Sequence, residues 1–92
     1  MAVVVIQEFE ATREEYDQVN AKLGEETPDG AILHAACDLG GGKMRSIDVW
    51  ESAEHFQNFV QDKLIPAIAE VNPDAPQAQE PEIREIYDLR QA

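Results

Sequence analysis

The residues with the clearest capacity for chemistry are a histidine, an aspartate and a tryptophan near the middle of the chain. His34 lies in one apolar segment, and Asp48 and Trp50 lie in the next. An imidazole held by a carboxylate has a fixed tautomer and a raised proton affinity, which suits proton abstraction from an acidic carbon or a phenol. The alternative is a structural histidine whose hydrogen bonds are satisfied by a neighbouring strand.

A pocket around this pair would use the other side chains of the same strand face. Ile32 and Ser46 have the parity of His34 and Asp48, so both are predicted to contact a substrate. Trp50 offers a flat surface for an aromatic ligand, although it would serve equally to close the end of the sheet. His34 and Asp48 are thus the predicted catalytic residues, and Trp50, Ile32 and Ser46 are the predicted substrate contacts.

The pairing of these residues depends on the glycine-rich turn between the two segments. Residues 40–42 are all glycine and form the strongest hairpin signal in the chain. A loop over 40–42 places His34 opposite Asp48, whereas a loop one residue further on places His34 opposite Trp50. In either register the three side chains cluster, and we expect them on the face of the sheet away from the helices.

The chain has the pattern of four strands and two helices. The predicted strands are apolar or alternating runs over 2–9, 31–39, 44–50 and 82–89. Thr12 and Glu15 fit the capping box of a helix that extends to about Leu23. Ser52 caps a second helix, which Pro66 is expected to kink or restart. The order β-α-β-β-α-β predicts one α+β domain over 1–92, ferredoxin-like, whose antiparallel sheet carries both helices on one face and its first and third strands at the centre.

The second face of this sheet also carries apolar residues. In the first strand Val3 and Val5 point one way while Val4 and Ile6 point the other, so neither face is polar. An uncovered apolar face of this size would be adhesive, and a second copy packed sheet to sheet would cover it. We therefore expect a homodimer, with a partly wet monomer as the alternative.

Other reactive side chains fit structural roles better. Cys37 is the one cysteine of the sequence and has no internal disulfide partner, so we expect a small buried residue. Ser46 lacks the strained turn of a nucleophilic serine. Tyr16 is expected to pack into the core from the first helix. His55 is expected to be exposed in the first turn of the second helix. No Cys/His spacing indicates zinc, so neither a metal nor a cofactor is predicted.

The charge balance excludes two classes of partner. Seven Lys and Arg against nineteen Asp and Glu give a net charge of −12 with neutral histidines. Nucleic acids and anionic membrane surfaces bind clustered basic residues, so we expect neither as a partner. The apolar start ends after Ile6, which is too short for a signal-peptide core, and a cytoplasmic protein is expected.

A longer pattern runs from the third strand into the second helix. Residues 46–54 (SIDVWESAE) lead into Phe56, Phe59 and the 64–66 segment LIP. With the element order and the His34 strand, they resemble the dimeric α/β-barrel superfamily, and within it the small proteins grouped with antibiotic biosynthesis monooxygenases. The resemblance covers nearly the whole chain. It implies a dimer whose sheets face each other, with a pocket between sheet and helices or within the barrel.

The resemblance also implies a class of chemistry. We predict an enzyme of the cofactor-independent monooxygenase, isomerase or cyclase type that acts on an aromatic or polyketide-like small molecule, with His34 as the base and Asp48 orienting it. The alternative is a non-catalytic dimer that binds a small ligand or is associated with stress. A further alternative is haem binding and degradation, in which His55 would be the helix histidine.

Overall fold

The elements follow one another in the order predicted from the sequence. The structure, a computed structural model, describes residues 1–76 and 78–91. The elements are β1 (Val3–Glu10), α1 (Arg13–Leu23), β2 (Ala31–Gly40), β3 (Lys43–Trp50), α2 (Ala53–Phe59), a π-helical turn (Val60–Leu64), α3 (Ile65–Val71) and β4 (Glu82–Glu85). The strands form one antiparallel sheet in the order β2-β3-β1-β4. The predicted α+β, ferredoxin-like architecture is confirmed, with the first and third strands at its centre.

The start of α1 is fixed by the capping box that the sequence predicts. The hydroxyl of Thr12 accepts the backbone N–H of Glu15 at 3.1 Å, and the Glu15 carboxylate accepts the backbone N–H of Thr12 at 3.1 Å. These bonds satisfy two N–H groups that an α-helix leaves without internal partners. They also set the positions of Arg13 and Tyr16, which project from the first turns of α1.

The second helical stretch begins at its predicted cap and changes form before its proline. Ser52 accepts the backbone N–H of His55 at 3.1 Å. The backbone widens into the π-helical turn over Val60–Leu64 and returns to α-helix in α3, where Pro66 is the second residue. Proline has no N–H and its ring crowds the preceding turn, so a wider turn there accommodates it.

The β2–β3 hairpin sets the register of the candidate site. His34 pairs directly with Asp48, which is the first of the two predicted registers. The connection is a tight turn at Gly41 and Gly42, shorter than the predicted loop, and a bulge at Leu39 compensates for the difference. Both turn glycines have positive φ, at 63° and 79°, a conformation that residues with a side chain adopt at a cost.

The fourth strand is shorter than the predicted 82–89. It spans Glu82–Glu85 and pairs with β1. Glu85 lies opposite Val3, the first residue of β1, and one further backbone hydrogen bond, from Ile86 to the carbonyl of Ala2 at 3.0 Å, ends the contact at the start of the chain's first strand.

The prediction that His34, Asp48 and Trp50 lie on the face away from the helices is wrong. Val3 and Val5 pack towards the helices, at 5% and 1% exposure, and the register pairs them with Trp50 and Asp48. All three predicted residues therefore lie on the helix side. The apolar character of Val49 and its neighbours suggested the opposite assignment, because the strands carry apolar residues on both faces and alternation alone cannot separate them.

Candidate functional site

The predicted histidine–aspartate pair is formed across neighbouring strands. Nδ1 of His34 lies 2.5 Å from Oδ1 of Asp48. The aspartate is buried, whereas half of the His34 side chain is exposed. The structure therefore couples a shielded carboxylate to an imidazole that solvent and small molecules can approach.

Asp48 sets both the proton affinity and the tautomer of His34. Its hydrogen bond raises the pKa of His34 above the ordinary value, its negative charge adds to this effect, and partial burial of the ring opposes it. Because the carboxylate accepts a hydrogen bond at Nδ1, the neutral ring carries its proton there and its lone pair at Nε2. Nε2 is thus the basic atom of the pair.

The structure adds Tyr16 to the site. Its hydroxyl oxygen lies 2.6 Å from Nε2 of His34, and the two rings are nearly parallel, with centroids 6.3 Å apart and planes inclined by 9°. The sequence predicted Tyr16 as core because it shares an apolar stripe with Val19 and Leu23. The sequence does contain a signal for this contact, namely the tyrosine hydroxyl on an otherwise apolar helix stripe. A hydroxyl that faces the sheet needs a hydrogen-bond partner there.

Trp50 lies in the core and supports Asp48. Its side chain packs against Phe56 and Phe59, with ring centroids 5.8 and 5.3 Å away, and the residue is only 3% exposed. Its indole Nε1 donates to Oδ2 of Asp48 at 3.3 Å. A ring so enclosed offers no open face for stacking on a ligand in this chain, so its place in the site is to hold the second oxygen of Asp48.

The other two predicted substrate contacts differ in their distance from the pair. Ser46 is two residues from Asp48 on β3 and lies opposite Ala36 of β2, so it shares the face of the pair. Ile32 falls in the irregularity between Ala31 and Leu33, where the pairing register shifts. The regular alternation of faces is interrupted there, so the parity that linked Ile32 to His34 no longer applies.

An open cleft of about 320 Å³ lies beside this site, between α1 and the β2–β3 hairpin. Its volume is at the lower end of the range for small-molecule sites. It is lined by Arg13, Tyr16, Asp17, Ala36, Asp38 and Met44. Nε of Arg13 donates to Asp38 at 2.8 Å. The backbone N–H of Gly40 and the Arg13 side chain hold the pKa of Asp38 below its usual range.

The second histidine is not freely exposed, in contrast to the sequence-based expectation. Nδ1 of His55 lies 2.6 Å from the hydroxyl of Ser52, and its ring packs over Gly30. Across residues 1–76 and 78–91, no three His, Cys, Asp or Glu side chains converge as a metal site requires. Within the same described part of the chain, no helix has the length and apolar character needed to cross a membrane.

Comparison with known proteins supports the fold. No family model matches the chain, and no curated protein does. A candidate antibiotic biosynthesis monooxygenase from Chloroflexus aurantiacus J-10-fl superposes with a TM-score of 0.71 at 18% identity, over 99% of this chain and 98% of that chain. SnoaB, a cofactor-independent oxygenase from Streptomyces nogalater, gives 0.61 at 17% identity, over 99% and 95%. Rv0793 from Mycobacterium tuberculosis gives 0.57 at 15% identity, over 100% and 99%.

These matches confirm the predicted resemblance to antibiotic biosynthesis monooxygenase-like proteins at the level of the fold. They extend over the whole domain, so the β-α-β-β-α-β arrangement is shared from end to end. At such low identity a shared fold does not carry residue roles with it. The chemistry of this chain must be argued from its own side chains.

Proposed function

We propose that this protein is an enzyme of the cofactor-independent monooxygenase, isomerase or cyclase type that removes a proton from an aromatic or polyketide-like small molecule. His34 is the base and Asp48 orients it. The observation that supports this function is the hydrogen-bonded chain in which Trp50 holds Asp48, Asp48 holds His34 and the basic nitrogen of His34 is directed at Tyr16.

Each member of the chain has a defined part in proton abstraction. A neutral His34 accepts a proton at Nε2 and becomes an imidazolium, whose charge is stabilised by the buried carboxylate 2.5 Å from Nδ1. Trp50 anchors Oδ2 of that carboxylate, so Asp48 keeps its orientation while the charge on His34 changes. The open cleft beside the helix supplies a place for the substrate.

The fold is compatible with this chemistry. SnoaB is a cofactor-independent oxygenase with the same architecture. Removal of a proton from a phenol or an activated carbon produces an electron-rich anion, which is the reactive species that isomerisation, cyclisation and reaction with dioxygen have in common. Proton abstraction is therefore the step that this site performs.

We propose in addition that the protein acts as a homodimer. On β2, Leu33 is 49% exposed, and Ala35 and Cys37, which share its face away from the helices, are exposed as well, so the expectation that Cys37 is buried is wrong. Leu39, in the bulge that follows, is 42% exposed. A contiguous apolar row exposed on an edge strand favours association with another protein surface. A second copy packed on this face leaves the cleft beside α1 open, because the cleft lies on the opposite side of the sheet.

The proton-abstraction proposal is tested by hydrogen–deuterium exchange at the acidic carbon of neutral probes, namely 1,3-diketones and other enolisable ketones, in deuterated buffer, because O–H protons exchange with solvent too fast to follow. We expect the wild-type protein to accelerate exchange. His34→Gln should lower the catalysed exchange rate by about 10²–10⁴-fold, which is the usual contribution of a positioned base. His55→Gln is the matched control, because it makes the same change at a histidine outside the cleft. Equal rates in wild type and His34→Gln would contradict the proposal.

A further inference from the structure

The relay from Asp48 to the cleft ends on a tyrosine. The hydroxyl of Tyr16 lies 2.6 Å from Nε2 of His34, and Asp48 occupies Nδ1. Both ring nitrogens of His34 are therefore engaged. Tyr16 is also one of the side chains that line the cleft. His34 is not among the residues that line the cleft, so Tyr16 is the member of the hydrogen-bonded chain that a substrate bound there contacts.

We infer that Tyr16 is a second catalytic residue, which passes the proton of an uncharged carbon or oxygen acid from the cleft to His34. This inference rests on the proposed function of His34 as the base. The C–H or O–H bond of the substrate breaks and its proton forms a new O–H bond on Tyr16. The original phenol proton moves at the same time to Nε2 of His34.

This transfer balances without any further reactant. The electron pair of the broken bond stays on the substrate as a carbanion or an oxyanion. The positive charge appears on His34, where the carboxylate of Asp48 faces it. Tyr16 ends the step as a neutral phenol, so it serves as a relay and is ready for a second turnover once His34 releases its proton.

The position of Tyr16 is fixed by its neighbours. Its ring lies near Phe9, with centroids 6.4 Å apart and planes inclined by 21°, and near the ring of His34, with centroids 6.3 Å apart. The capped start of α1 sets its backbone. A phenol held in this way keeps its hydrogen bond without rearrangement when a substrate arrives, which is the condition for efficient proton relay.

The charges around the cleft indicate the class of substrate. Two carboxylates, Asp17 and Asp38, line the cleft with one guanidinium, that of Arg13. The surplus of negative charge disfavours carboxylate and phosphate ligands and favours uncharged acids such as phenols, enols and 1,3-dicarbonyl compounds. Arg13 is paired with Asp38 at 2.8 Å, so its charge is already offset within the cleft.

The test compares Tyr16→Phe with Tyr87→Phe in the exchange assay. Tyr87 is fully exposed, so its variant makes the same chemical change away from the cleft. We expect Tyr16→Phe to lower the exchange rate about 10²–10⁴-fold, as His34→Gln does, and Tyr87→Phe to match the wild type. Circular dichroism and thermal unfolding of each variant establish that the fold is intact.

The outcomes separate this inference from the function on which it rests. If Tyr16→Phe matches or exceeds the wild-type rate while His34→Gln is inactive, Tyr16 is no relay, and His34 remains the base. If neither substitution lowers the rate, or if the wild-type protein exchanges no probe, both proposals are overturned.

A second measurement covers the case in which Tyr16→Phe folds poorly. The sequence holds two tyrosines, so biosynthetic incorporation of fluorotyrosine into the Tyr87→Phe protein places the label at position 16 alone. Fluorination makes the phenol more acidic with little change in size. We expect it to alter the pH dependence of exchange, and an unaltered profile would contradict the relay.

Discussion

The chemistry of His34 depends on the different partners of its two ring nitrogens. Asp48 at Nδ1 raises the pKa of the ring, and Nε2 carries the lone pair that makes it a base. A histidine acts as a base only when it is neutral, so the active fraction increases as the pH rises through its pKa. Because that pKa is raised above its ordinary value of about 6.5, the activity should rise with pH above this value.

Trp50 is connected to the candidate site through its hydrogen bond to Asp48. The sequence offers it as a stacking surface, yet its ring is enclosed by Phe56 and Phe59 and its N–H binds the carboxylate of Asp48. Asp48 would otherwise be a buried charge with one partner, which is an unfavourable arrangement. The aromatic core thus supplies the second hydrogen bond that keeps the aspartate in place.

At the level of the elements, the junction between β3, α2 and the start of β2 is built around a glycine. Gly30 has φ +83°, and a Cβ at this position would lie 2.4 Å from the ring of His55. Its carbonyl also accepts the backbone N–H of Glu51 at 2.8 Å. This contact ties the start of β2 to the end of β3, the two strands that bring His34 and Asp48 together.

We therefore expect Gly30→Ala to lower the free energy of unfolding, by about 1–3 kcal/mol from the backbone conformation and more from the clash with His55. Gly40→Ala is the matched control, because Gly40 has φ +82° and nothing within 4 Å of its would-be Cβ. Urea unfolding measures both variants. Adding His55→Ala to Gly30→Ala should restore part of the lost free energy of unfolding. If Gly30→Ala and Gly40→Ala lower the free energy of unfolding equally, the close contact with His55 does not contribute to the effect.

The sequence predicts the elements better than it predicts their faces. Thr12 and Ser52 cap the helices as their local patterns indicate, and the glycine turn brings His34 opposite Asp48. These features depend on a few adjacent residues. The side of the sheet that faces the helices cannot be predicted from adjacent residues, because Val4 is as apolar as its neighbours. The contact of Tyr16 with His34 cannot be predicted in this way either, because it depends on how α1 packs on the sheet.

At the level of the whole molecule, the domain has two different surfaces. The helix side contains the core, the hydrogen-bonded chain from Trp50 to Tyr16 and the cleft, whereas the outer side of β2 exposes Leu33, Ala35 and Cys37. The net charge of −12 keeps most of the remaining surface well hydrated. The apolar row is therefore the surface most suited to association with a second copy.

We expect the wild-type protein to sediment as a dimer at micromolar concentration and Leu33→Lys to sediment as a monomer, because a charge would be buried within the contact. Ile65→Lys is the matched control, since Ile65 is 54% exposed on α3 and lies away from the outer sheet face. Sedimentation velocity distinguishes the two states. A monomeric wild-type protein, or a Leu33→Lys variant that remains dimeric, would contradict assembly through this face.

The most direct test of the central claim is the pH dependence of probe exchange in wild type and Asp48→Asn. If His34 is the base and Asp48 raises its pKa, the wild-type rate rises with pH to a plateau, and the midpoint of the rise lies above about pH 6.5. Asp48→Asn moves this midpoint to lower pH and lowers the plateau. The plateau falls because the imidazolium loses its paired charge. A profile with the same midpoint and plateau in both proteins would contradict the claim that the His34–Asp48 pair abstracts the proton.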